Sequence, residues 1–404
     1  MSAIWWSPTK TEREASMTMG DKPVALRAPA GSRVRKTTTT LADGRELIYF
    51  DDSEPYVSGA ATRELVDSRP LPPSAPQSQI RFDMLTGEWV VIASQRMDRT
   101  FLPSVDESPL APSRPGKAPT EIPAEDYDVV VFENRFPSFA SIAGDQHLPD
   151  YVDNEPLWPL AAGIGRCEVV CFTSDPNGTF ATLGVDRVRT VVDVWADRTA
   201  ELSAMPGTRQ VFCFENRGKE IGVTLTHPHG QIYAYPYLPP RADVLIRRSR
   251  EYAEQTGRLL LSDILDAERR SGRRVVLSAE HWTAYVPAAA RWPLEMHLAP
   301  HRDVADLSEL DEAERDELAH VYLELLQRVD RFFEGVDAVP YIAAWHQAPV
   351  GEDRRYGRLH LQLFSMMRSP GRMKYLAGSE SGMGAWINDT TPERIADRLR
   401  EVSS

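Results

Sequence analysis

The chain has 404 residues, 42% of them hydrophobic and 26% charged, the profile of a globular protein long enough to form two packed halves. Its formal net charge of −13, with no clustered Lys/Arg stripe, excludes a sequence-independent nucleic-acid binder, which must displace counterions from phosphates. No stretch approaches the roughly 20 unbroken apolar residues of a membrane helix, and Met1–Lys22 lacks the basic start and apolar run of a signal peptide.

Residues 1–35 are polar, aperiodic and Pro-containing, and read as a disordered extension in which Met17 and Met19 offer alternative starts. Residues 36–78 hold one strand within LADGRELIYFDD and then a Pro/Ser linker, RPLPPSAPQSQ. The globular part begins at Gln79, where RFDMLTGEWVVIAS predicts a hairpin turning at Thr86–Gly87. Residues 102–125 carry many prolines and read as a long surface loop.

Two stretches then repeat one order of elements. The first half, 79–240, runs through strands DYDVVVFEN and GRCEVVCFTSD, a helix near 185–205, and strands RQVFCFEN and TLTHPHGQIYAYP. The second, 241–404, runs through strands HWTAYVP and LEMHLAP, a helix near 310–334, and strands YIAAWHQ and RLHLQLFS. Val188, Val191, Trp195 and Thr199 share one helical face, as do Leu318, Tyr322, Leu325, Val329 and Phe332. Each half ends on a strand with a paired motif, His227/His229 and His360/Gln362. The fold class is therefore α+β, a duplicated unit with mostly antiparallel sheets flanked by helices. Helices near 241–256 and 261–271 stop at Gly257 and Gly272, and Thr391 with Pro392 opens a final amphipathic helix.

The three cysteines, Cys167, Cys171 and Cys213, are an odd, low count that points to reduced thiols and a cytoplasmic protein. Cys167 and Cys171 read as core thiols on one face of a strand, with a metal pair as the lesser reading. The informative segment is FENRGKEIGVTLTHPHGQIYAYPYLPP. On a strand, His227, His229 and Gln231 alternate and share a face. Pro228 stiffens the backbone, and Gly230 would let a bulky ligand approach it. A neutral imidazole, with a reference pKa of about 6.5, is a nucleophile at neutral pH. Gln231 can donate to a phosphoryl oxygen as charge builds there. Structural histidines or a three-histidine metal site are the alternatives.

HPHGQ preceded by FENRG, with GEWVVIASQR, FENRF, EHWTAYVP, AWHQAP and KYLAGSE in the same order, strongly resembles the galactose-1-phosphate uridylyltransferase family of the histidine-triad superfamily. The resemblance covers most of residues 80–390 and implies a duplicated histidine-triad fold. It also implies ping-pong exchange of UMP between UDP-glucose and galactose 1-phosphate, in a homodimer with shared active sites. It makes His229 the nucleophile and Gln231 the phosphate-contacting amide, with His227 in support. Arg96, Arg99 and Asn134 then serve the nucleotide and its phosphates, and Asn216 and Thr224 line the phosphates. Lys374 and Glu380 reach the hexose from the partner subunit.

The sequence also departs from the family. Ser108 and Ala111 stand where many members have a zinc-binding cysteine pair, and Pro176 or Asn177 where a later histidine stands. His227 alone cannot hold structural zinc, which wants four ligands, so zinc is not expected and no cofactor is predicted. Of the iron ligands that some members carry, His346 and His360 match, Gln362 replaces a histidine, and Leu245 falls near a glutamate. These two histidines are weak metal candidates, more simply buried and hydrogen-bonded. The alternatives to the uridylyltransferase are an adenylyl or nucleotide-sugar phosphorylase, a hydrolase that resolves the intermediate with water, and an inactive nucleotide-binding scaffold.

Overall fold

The computed structural model describes residues 33–64, 66–74, 78–94, 96, 103–104, 107–140 and 148–403. The first half contributes β1 (Arg35–Thr40), β2 (Glu46–Asp51), β3 (Gln79–Asp83), β4 (Glu88–Ile92), β5 (Val129–Glu133), β6 (Leu160–Ala162) and β7 (Arg166–Cys171). These are followed by α1 (Val185–Ser203), β8 (Gln210–Arg217) and β9 (His229–Tyr235). Two helices, α2 (Pro240–Thr256) and α3 (Leu260–Ser271), lead to β10 (Val275–Ser278), β11 (Trp282–Tyr285) and β12 (Leu294–Pro300). The chain ends with α4 (Glu312–Asp330), β13 (Tyr341–His346), β14 (His360–Ser365), β15 (Met367–Ser369), β16 (Arg372–Met373), α5 (Gly378–Met383) and α6 (Pro392–Glu401).

Eleven strands form one continuous sheet in the order β1-β2-β5-β7-β9-β8-β13-β14-β12-β11-β10. The five-strand unit β2-β5-β7-β9-β8 recurs in reverse as β13-β14-β12-β11-β10, so the duplication is a pseudo-two-fold whose seam is the β8–β13 pairing. That seam is antiparallel, from Tyr341↔Arg217 to Trp345↔Cys213. Alternation on β9 sorts its side chains. Gly230, Ile232 and Ala234 are buried, while His229, Gln231, Tyr233 and Tyr235 face the other side.

The buried side carries both crossover helices. Val188, Val191 and Trp195 of α1 and Leu318, Tyr322 and Leu325 of α4 enter one core. Trp195, Tyr322 and Trp345 bind the halves together there, with ring centroids 5.9 to 6.1 Å apart. On the opposite face the two halves differ. The first is covered by residues 107–128 and by the small sheet β4-β3-β6. The second is covered by the α2–α3 hairpin, with Leu265 packed on Tyr285 and Ala299.

The predicted hairpin at Thr86–Gly87 forms, with Asp83↔Glu88 as its closing pair. Gly257 and Gly272 cap α2 and α3 at φ 70° and 63°, and Thr391 caps α6. Five expectations change. Residues 36–51 hold two strands of the main sheet, not one, and β1 begins at Arg35, inside the expected extension; residues 1–32 lie outside the described residues. Within 102–125 the loop is exposed at residues 114–119, but its flanks are not superficial: Leu110, Ile122 and Ala124 are 2%, 0% and 2% exposed. Their backbone is satisfied locally, since Thr120 Oγ1 donates to the Ala111 carbonyl at 2.7 Å and Tyr127 Oη to that of Leu110 at 2.8 Å. β9 begins at His229, so His227 precedes the strand instead of sharing its outer face. Finally, Gly230 answers to packing and not to ligand approach, because a Cβ there would sit 2.8 Å from Phe172 Cζ and 3.0 Å from the Phe214 carbonyl.

Candidate active site

His227 lies in the two-residue approach to β9 and is 1% exposed. Its Nε2 is 2.8 Å from the Thr173 carbonyl and 2.9 Å from Tyr127 Oη. A carbonyl only accepts and the Tyr127 hydroxyl proton is given to Leu110, so Nε2 of His227 carries the proton. Nδ1 is buried without a partner among the described residues. Burial pushes this imidazole down to about 4, against the opposing Thr173 hydrogen bond, so it is neutral at pH 7.

The carbonyl of His227 then sets the next histidine. Nδ1 of His229 lies 2.8 Å from it and must donate, which leaves Nε2 as the bare lone pair. Burial lowers the pKa of His229, with the same carbonyl bond opposing, and keeps the ring neutral. Two residues on, Tyr233 donates its hydroxyl to Gln231 Oε1 at 3.2 Å, so the Gln231 amide presents its NH2 end to the cleft. Burial, with Cys167 adding to it, raises the Tyr233 pKa against the pull of Arg96 and preserves that donor.

These groups open onto a cleft of about 290 Å³ that Arg96, Asn134, Asn216, Thr224, His229 and Gln231 line together. Arg96 is anchored by donating to the Phe136 carbonyl at 2.9 Å, and Asn134 Oδ1 accepts from Phe136 N at 2.9 Å. Arg99 lies outside the described residues. Tyr233 and Arg135 also line the cleft and were missed in the sequence. Tyr233 was legible as the next outward position of the β9 alternation, and Arg135 as the neighbour of Asn134 in FENRF. The lining carboxylate of Glu121 pairs with Arg135 at 3.6 Å; arginines and an amide in one cleft with a neutral imidazole suit an anionic phosphoryl centre.

Lys374 and Glu380 are not among the residues lining this cleft. They pair with each other at 3.5 Å, and Lys374, 4% exposed, also donates to the Ile387 carbonyl and to that of Arg291 at 3.3 Å. Zinc does not fit the residues near His227: Ser108 and Ala111 offer no thiolate, and the protonated Nε2 is already engaged. His346 and His360 stack at 4.9 Å, with His297 5.6 Å from His360. Nδ1 of His360 donates to the Arg358 carbonyl at 3.2 Å, and His346 Nε2 lies 3.4 Å from Gln362 Oε1. Leu245 adds no ligand, and among the described residues no group of three or more His, Cys, Asp or Glu could hold a metal ion. All three cysteines are free and buried, and burial raises the thiol pKa of Cys167 to about 11 and of Cys213 to about 12.

Comparison with known proteins gives a consistent result. Residues 71–239 match the N-terminal domain of galactose-1-phosphate uridyl transferase, and residues 246–404 its C-terminal domain. The galactose-1-phosphate uridylyltransferase of Streptomyces lividans is 47% identical over 384 residues, 92% of this chain and 98% of that one. That of Thermotoga maritima is 35% identical over 326 residues, 80% of this chain and 98% of its own length. A solved uridylyltransferase structure, 30% identical, superimposes with a TM-score of 0.70 over 80% of this chain and 98% of that chain.

Neutral buried histidines make folding stability fall on acidification. His346 is held down to about 3 by burial, then by Arg241 and His297. Its folded pKa lies below the unfolded value of about 6.5, so its contribution is complete above pH 6.5 and is lost from there toward pH 3, at up to about 1.4 kcal/mol per pH unit. Glu215, pushed up to about 7 by burial, works in the opposite direction. The histidine effect is therefore read as a difference: urea denaturation of His346→Phe should show a smaller stability loss from pH 7 to pH 5 than the parent chain. Equal losses would contradict the neutral assignment.

Proposed function

The chain belongs to the galactose-1-phosphate uridylyltransferase family, and from that premise we propose that its turnover passes through a uridylyl group carried on Nε2 of His229. It is a nucleotidyltransferase, a UDP-glucose–hexose-1-phosphate uridylyltransferase of galactose metabolism. The observation that carries the reading of His229 is the 2.8 Å bond from its Nδ1 to the His227 carbonyl, which frees Nε2 as an in-built lone pair.

In the first half-reaction Nε2 attacks the α-phosphorus of UDP-glucose. The P–N bond forms as the P–O bond to glucose 1-phosphate breaks, and that anion leaves. The imidazole becomes cationic, and its Nδ1–H remains bonded to the His227 carbonyl, which stabilises the charge. Gln231 donates its amide to a non-bridging oxygen, and Arg96, with Arg99, counters the diphosphate charge. Asn134 serves the nucleotide, and Asn216 and Thr224 the phosphates. In the second half-reaction an oxygen of galactose 1-phosphate attacks the same phosphorus, and the P–N bond breaks to release UDP-galactose and restore the neutral ring.

A homodimer would bring Lys374 and Glu380 of one subunit to the hexose in the partner's cleft; that neither residue lines the cleft of its own chain supports this arrangement. A cytoplasmic location is supported by the three free thiols.

Incubation with UDP-glucose alone should add one uridylyl group to the intact mass, and galactose 1-phosphate should discharge it as UDP-galactose. In His229→Gly the label should vanish and turnover should fall at least about a thousandfold with the fold retained. Label persisting in that variant would contradict the covalent role. Mixed dimers of His229→Gly with Glu380→Ala should regain activity that neither parent homodimer has; no recovery would contradict the shared site.

A further inference from the structure

The second half holds a larger cavity than the catalytic cleft, about 630 Å³, between the sheet and the α2–α3 hairpin. It opens on the same sheet face as the cleft, and Phe212, stacked on Phe214 at 5.1 Å, stands between the two. Its walls are apolar: Phe212, Leu245, Ile246, Leu260, Ile264 and Tyr285. The covering helix is loosely seated, for of the 17 residues of α2 only Ile246 is buried. A volume in this range is that of a small-molecule site, since ligand cavities run to roughly 300–1,000 Å³.

The polar groups in the lining define what would bind. Arg358 is 6% exposed. Its Nη2 donates to the carbonyls of Pro300, His301 and Arg302 at 2.6, 3.1 and 3.2 Å, and its Nε lies 3.3 Å from the Asp303 carboxylate. Nη1 is buried and has no acceptor among the described residues. A buried guanidinium donor without an acceptor is rare and marks a place where an anionic oxygen would be received. Arg241, at the N-terminal end of α2, forms no ion pair among the described residues, and burial, with Arg291 adding to it, depresses its pKa. The histidines supply no charge: burial holds His346 down to about 3 and His360 well below its ordinary value. Of the other charged groups in the lining, Glu268 pairs with Arg274 at 2.9 Å and Arg248 with Glu251 at 2.7 Å, so the positive charge left over lies on Arg241 and on the open Nη1 of Arg358.

We propose that this cavity binds an amphipathic anion, its carboxylate or phosphate head received by the open Nη1 of Arg358, with Arg241 adding positive charge to the lining and the apolar body lying under α2 and α3. A sugar nucleotide is a poor match, because the walls offer little to its hydroxyls. The occupant would lie against Phe212 and Tyr235, the aromatic neighbours of the residues that hold Gln231.

Calorimetric titration of the full chain with decanoate, decyl phosphate and decanol tests the proposal. At least one anion should bind at one per chain and at least about tenfold more tightly than decanol. Arg241→Met, which removes the unpaired cation, and Ala242→Trp, which fills the cavity from α2, should each weaken that anion by about tenfold or more while uridylyl transfer is retained. Tighter binding of decanoate would assign a fatty-acid type of head, and tighter binding of decyl phosphate a phosphomonoester. The absence of binding by both anions, decanol binding as tightly as either, or equal affinity in both variants would overturn the proposal. Both substitutions lie on a helix that contributes one residue to the core, so loss of the fold does not confound them.

Discussion

The hydrogen bond from Nδ1 of His229 to the carbonyl of His227 is the constraint on which the chemistry depends. An imidazole has two nitrogens, and a nucleophile is of use only if the correct one is bare. That carbonyl is held still by what surrounds it. Pro228 limits the backbone between the two histidines, and the buried ring of His227 is pinned by Thr173 and Tyr127. Gly230 lets β9 press against Phe172, so the strand that carries His229 and Gln231 cannot drift outward. Family members that hold zinc at His227 would fix the same carbonyl through a metal. Here Tyr127, bonded to both Leu110 and His227, ties the proline-rich loop to the histidine instead.

Duplication explains both what the two halves share and where they differ. His360 repeats the i−2 arrangement of His229, with Nδ1 bonded to the Arg358 carbonyl at 3.2 Å. Its surroundings are different. The first half places Asn216, Gln231 and cations around the bare nitrogen, whereas the second places His346 and His297 beside it under a pair of helices. The same backbone geometry therefore yields a reactive site in one half and an apolar chamber in the other. The local tautomer device is necessary, but it is the neighbouring side chains that make it catalytic.

Much of this was legible in the sequence, for identifiable reasons. Crossover helices announce themselves by period, as Val188, Val191 and Trp195 do, and their stops by glycine, as at Gly257 and Gly272. HPHGQ announced the site because imidazoles, proline, glycine and an amide in that order have few other uses. What stayed hidden depends on tertiary context. The strand period could not reveal that β9 starts only at His229, because the turn into it is set by the burial of His227. Prolines in residues 102–125 signal irregular backbone equally well for a surface loop and for one packed on Leu47 and Phe132. Tyr233 fits the alternation, but its bond to Gln231 could not be read from spacing, nor could the local satisfaction of Lys374 by carbonyls. His297 carries no motif and joins His346 and His360 only through sheet pairing.

The most direct measurement of the central claim is the protonation state of each ring nitrogen of His229, read by long-range 1H–15N NMR with selective histidine labelling at neutral pH. The account predicts a neutral ring protonated at Nδ1, with Nε2 unprotonated in the free enzyme and bearing the phosphorus after reaction with UDP-glucose. A ring protonated at Nε2, or phosphorus bound at Nδ1, would contradict it.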